Sequence, residues 1–118
     1  MSELDKLEAY LKKHKIKYKR IDEVPEFQIE QAKLHNFYED GMFERHQIMV
    51  LNDQGKREWD VICHWGSYGF KQGLLELYGN LVTKADGDDV VGWLTAQDVI
   101  DRLTDRTVEN EKEKGGRR

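Results

Sequence analysis

Residues 46–79, HQIMVLNDQGKREWDVICHWGSYGFKQGLLELYG, decide the fold. His46, Ile48 and Val50 fall on one side of an extended segment and Gln47, Met49 and Leu51 on the other, and the poor alternation predicts a strand covered on both faces. Asn52, Asp53, Gln54 and Gly55 form a turn, with Gly55 suited to the positive φ that closes a hairpin through a bulge. The return strand, residues 58–64, sets Trp59, Val61 and Cys63 on one face and Asp60, Ile62 and His64 on the other. Next, Ser67 stands as an N-cap and Phe70, Leu74, Leu77 and Tyr78 as the stripe of a helix that Gly79 stops, with Gly69 and Gly73 sharing one of its faces.

Upstream of this unit, Ser2 caps a first helix whose buried stripe is Leu4, Leu7, Tyr10 and Leu11. Its acidic residues come early and Lys12, Lys13, His14 and Lys15 late, as the helix dipole favours. Ile16, Tyr18 and Ile21, interleaved with basic residues, predict a half-exposed edge strand over 16–22. The only proline, Pro25, ends it. Phe27, Ile29, Leu34 and Phe37 follow no single period, leaving either a short helix around residues 29–34 or an ordered loop. Downstream, residues 80–94 hold an acidic turn, Asp86-Gly87-Asp88-Asp89, before Val90, Val91, Gly92, Trp93 and Leu94. Thr95 and Asp98 cap a last helix whose stripe is Ala96, Val99, Ile100 and Leu103, leaving Asp98, Asp101, Arg102 and Asp105 solvated.

The expectation is one α+β domain over residues 1–106, with a three-stranded antiparallel sheet around the central hairpin and three or so helices packed on it. Residues 107–118 read as a frayed charged tail. The formal charge of −4, from 23 acidic and 19 basic side chains well interspersed, argues against a protein that tracks nucleic-acid phosphates. One cysteine forbids an intramolecular disulfide and predicts a reducing, cytoplasmic setting. No apolar run approaches the length of about 18 that spans a bilayer, so no membrane partner is expected.

The strongest candidate site is the turn His64, Gly66, Ser67, Tyr68 and Gly69, where a strand entering a helix N-terminus would present free N–H groups to an anion. It lacks the lysine and spacing of a P-loop, and glycines demanded by a sharp turn explain it as well. Cys63 beside His64 suggests a nucleophile and base, yet strand neighbours point to opposite faces, so Cys63 would need His46 across the hairpin. The better reading is a buried structural cysteine. His46 and His64 supply only two ligands toward a metal that needs three or four, and the acidic turn puts Gln97 where a calcium loop requires glutamate. No catalytic residue, metal or cofactor is assigned.

The segments RHQIMV (45–50), WDVICHWGSYG (59–69), GLLELYG (73–79) and GWLTAQDVIDRL (92–103) resemble a group of small uncharacterised proteins encoded by phages and prophages of Gram-positive bacteria. The similarity covers roughly residues 43–103, and the stretch 24–42 is longer than the group's pattern. The resemblance implies an accessory protein of a mobile element, working in the host cytoplasm and carrying no known catalytic residue. Trp65, Tyr68 and Trp93 stand out as exposed aromatics, which points to binding a host or phage protein without enzymatic chemistry. Two alternatives remain: a small anion- or nucleotide-binding, even hydrolytic, protein using the turn 64–69, and an acidic inhibitor that presents Asp98, Asp101 and Asp105 to a host defence nucleic-acid enzyme.

Overall fold

A computed structural model describes residues 1–105. The expected tail, residues 107–118, and the last residue of the expected domain lie outside that range. The chain forms α1 (Glu3–Lys13), β1 (Tyr18–Glu23), α2 (Glu26–Leu34), β2 (Arg45–Leu51), β3 (Arg57–Ile62), β4 (Leu75–Gly79), β5 (Val90–Leu94) and α3 (residues 96–105). The fold is α+β, as the sequence predicts, but the sheet has five strands rather than three. They are antiparallel in the order β1-β2-β3-β4-β5.

One of the two missed strands, β4, has a local cause. Residues 67–79 carry apolar positions at both helical and alternating spacing, and alternation wins from Leu75 onward: Leu75 and Leu77 are fully buried while Tyr78 faces out. The expected helix shrinks to a 3-10 turn, Phe70–Gln72, bracketed by Gly69 and Gly73 at φ +94° and +71°. Gly79 is therefore no helix stop; it pairs with Trp59 inside the sheet. Val90–Leu94 then lies against β4 as an edge strand.

One sheet face is the core. Ile48, Val50, Trp59, Val61, Leu75 and Leu77 meet Leu4, Leu7 and Leu11 of α1 and Ala96 and Val99 of α3. Burying each of these large aliphatic side chains contributes about 1.5–3 kcal/mol. The expected cover over the other face of β2 is incomplete: Gln47, Met49 and Leu51 are only half-buried. The exception on that face is Asp60, buried on β3 and held by the Gln47 amide at 2.7 Å.

Local signals set the helix ends. Ser2 and Asp5 form a capping box at α1, and Thr95 and Asp98 exchange the same pair of bonds at α3. Both α1 and α2 end in Schellman motifs without glycine: Ile16 N–H reaches Leu11 C=O past Lys15 at φ +56°, and Phe37 N–H reaches Ala32 C=O past Asn36 at φ +60°. Arg102 is not solvated as expected. Its guanidinium forks onto Asp86 at 2.8 and 2.9 Å and also donates to Leu81 C=O, tying α3 to the acidic turn.

Candidate functional site

The antiparallel register gathers three connections and the start of α1 at one end of the sheet. β1 leaves for α2 beside the start of β2, β3 leaves for the loop 63–74, and β5 ends opposite the start of β4. Nine large hydrophobic side chains are exposed among the described residues. Met1 precedes α1, Val24, Phe27, Leu34 and Phe37 lie on the β1–β2 connection, Trp65 and Tyr68 on the β3–β4 loop, Trp93 near the end of β5 and Tyr78 within β4.

The expected site residues are all in the loop 63–74, and turn-building occupies them. Ser67 Oγ accepts from His64 N–H at 3.0 Å and donates to His64 C=O at 2.8 Å. Trp65 N–H donates to Glu44 C=O, Ser67 N–H to His64 C=O, and Tyr68 N–H to the Glu76 carboxylate at 3.0 Å. Of the N–H groups in this turn, that of Tyr68 is therefore taken by a carboxylate. Gly66 sits at φ +88°, and Gly69 lies against the Trp93 backbone, where an added Cβ would come within 3.1 Å of its Cα.

What the loop does present is aromatic. Tyr68 stacks on Trp93 with ring centroids 5.1 Å apart and an interplanar angle of 19°. Two features of β5 bring this about. Gly92 and Trp93 together oppose Glu76 alone, a bulge that turns Trp93 out of the core face. Gly92 lacks the Cβ that would drive into Tyr68, so the tyrosine lies flat across it. Trp93 itself adopts φ +56°, a left-handed conformation costing about 1–2 kcal/mol for a residue with a side chain. Beside the pair, Trp65 tilts against Phe43 at 5.9 Å, and Trp65, Tyr68 and Trp93 edge an open groove of about 280 Å³ with Glu39 and Lys71 at its rim.

A second, polar cluster lies under the N-terminus of α1. Asp22, His46 and Cys63 form a row across β1, β2 and the end of β3, and they line a cavity of about 200 Å³ with Ser2, Glu3 and Arg20. His46 Nδ1 meets Asp22 at 2.7 Å and Nε2 meets Glu44 at 3.0 Å. Arg20 in turn bonds Asp5, Glu8 and Asp22. With both ring nitrogens held by carboxylates, His46 has no free position to take a proton from Cys63, and burial together with Glu44 pushes the thiol up. His46 and His64 do approach, but through the main chain: His46 N–H donates to His64 Nδ1 at 2.9 Å. No group of three His, Cys, Asp or Glu side chains among the described residues is arranged for a metal.

The two histidines are expected to titrate on opposite sides of 6.5. Burial weakens the His46 charge, but the Glu44 and Asp22 hydrogen bonds outweigh it and raise the pKa; burial and the Arg45 and His46 charges lower that of His64. The His46 contribution to stability is therefore complete below 6.5 and lost as pH rises through its folded pKa. That of His64 is present above 6.5 and lost as pH falls through its folded pKa. Proton-detected titration of the two rings checks the order, and a His46 pKa below that of His64 would contradict the geometry.

Among the described residues, no helix is long and apolar enough to cross a membrane. Comparison with protein-family models, curated proteins and solved structures gives no match. The site therefore rests on its own geometry. Sequence reasoning singled out Trp65, Tyr68 and Trp93, but it did not join Asp22 and Glu44 to His46 or see the outward stripe of α2. The stripe left a trace in Phe27 and Leu34, seven residues apart and so on one helix face.

Proposed function

We propose that the protein is a non-enzymatic accessory protein of a phage or prophage that works in the host cytoplasm by binding another protein through the aromatic end of its sheet. The observation that carries this reading is the exposed rings of Trp65, Tyr68 and Trp93 edging one groove, with further exposed apolar side chains on the β1–β2 connection. Monomeric surfaces scatter such residues, and a concentrated patch marks an interaction surface. Trp93 supports it further: a tryptophan held exposed in a strained backbone gains nothing for the core, and aromatic anchors of this kind dominate protein interfaces. The polar cluster around His46 supports stability instead, since its nitrogens and its neighbours' charges are mutually satisfied.

Two variants test the proposal without touching the buried core. Trp93→Gly relieves the left-handed strain while losing a ring stack worth about 0.5–1.5 kcal/mol, so stability is expected to stay within about 1 kcal/mol of the parent. Gly92→Ala drives a methyl into Tyr68 and breaks up the pair. Affinity capture from expressing host cells is expected to recover a specific protein with the parent chain and to lose it with both variants. Recovery of the same proteins by all three chains would end the proposal.

A further inference from the structure

The α2 side of this surface carries a more specific signal. α2 is apolar on two opposite faces. Ile29 and Ala32 point inward and are buried, whereas Phe27, Glu30, Gln31 and Leu34 recur at i, i+3, i+4 and i+7 on the outward face. Phe27 is 72% exposed and Leu34 70%. Phe37, just past the Schellman motif, is 55% exposed, and Val24 stands exposed just before the helix. An amphipathic helix of a small domain ordinarily turns one apolar face to the core; α2 has a second, without cover.

Its surroundings are strongly acidic. Residues 22–44 hold seven acidic side chains and a single cation, Lys33; Asp22, Glu23, Glu39 and Glu44 meet Arg20, Arg45, Lys71 and His46 from outside the segment. Lys33 lies over the Tyr38 ring at 4.9 Å. Glu26, Glu30 and Asp40 have no ion-pair partner among the described residues, and Glu30 sits on the outward face between Phe27 and Leu34. Apolar anchors within an unneutralised acidic rim suit a partner that brings apolar side chains flanked by lysine or arginine. A second copy docked face to face would oppose the same acids to each other, and an anionic lipid surface would be repelled.

We infer that the outward face of α2, Phe27 and Leu34 flanked by Glu26 and Glu30, docks a cationic amphipathic segment of the partner protein. This rests on the interaction reading above and adds the chemistry of what is bound. The probe is a short amphipathic leucine/lysine peptide, added to the full chain and followed by fluorescence anisotropy and amide chemical shifts. Its controls are a scrambled peptide of the same composition and a leucine/glutamate counterpart.

The leucine/lysine peptide is expected to bind and to shift Phe27 and Leu34. Binding is expected to weaken about tenfold or more in Phe27→Ser with Leu34→Ser, and in Glu26→Lys with Glu30→Lys. Both substituted pairs are exposed, and an unchanged melting temperature excludes misfolding as the cause. Equal binding of the scrambled or anionic peptide, shifts that avoid α2, or self-association of the chain that the serine pair abolishes would each overturn the inference. Cell capture separates the two readings. Partner loss with Trp93→Gly but full retention with both α2 pairs refutes the cationic segment alone; retention with Trp93→Gly and Gly92→Ala refutes the aromatic end, whatever the peptide does.

Discussion

Trp59→Ala is expected to cost about 3–5 kcal/mol, read as a lower urea midpoint at an unchanged slope. Trp59 is 2% exposed at the middle of β3, flanked by Val50 on β2 and Gly79 on β4. It belongs to the cluster that joins the sheet to α1 and α3, so the cavity left behind could not be filled by moving one neighbour. Against a typical domain stability of about 5–15 kcal/mol this removes a large part of the total. A loss below about 1 kcal/mol would show that the indole is not the centre of the core.

Gly79→Ala is expected to be nearly as damaging, at about 3 kcal/mol or more, through a different physical route. Gly79 has φ +111°, a conformation that residues with a Cβ rarely adopt. A methyl there would stand 2.6 Å from Trp59 Cα and 2.7 Å from Glu58 C=O, both main-chain atoms that cannot rotate aside. The β3–β4 pairing has to open or shift to admit it. Gly55→Ala is the control: it shares the positive φ but meets nothing within 4 Å, so it isolates conformational strain from collision. Equal losses at the two positions would remove the collision from the explanation.

The parts of the fold that local chemistry specifies were legible in the sequence. Ser2, and Thr95 with Asp98, announce helix starts, and Gly55 closes the hairpin at φ +78°. β4 was not legible, because Phe70, Leu74, Leu77 and Tyr78 satisfy a helical period while Leu75 and Leu77 satisfy a strand, and only pairing with Val61 and Val91 decides between them. The same holds for the polar cluster. Asp22 and His46 are 24 residues apart and meet only once the β1–β2 register is set. The aromatic end was legible in its residue types, yet its cause was not: nothing local says that Gly92 makes room for Tyr68 or that a bulge turns Trp93 outward.

The three tryptophans sit at three depths, and this gives the molecule separate optical reporters. Trp59 is sealed in the core at 2% exposure, Trp65 is at 36% and Trp93 at 57%. Blue-shifted emission from Trp59 follows unfolding, while quenching by a soluble quencher reaches Trp93 and Trp65 in the native chain. A partner that covers the aromatic end shields those two indoles and leaves the Trp59 signal unchanged. Loss of folding therefore registers as a shift of emission and gain of a partner as protection from the quencher, in one unlabelled sample.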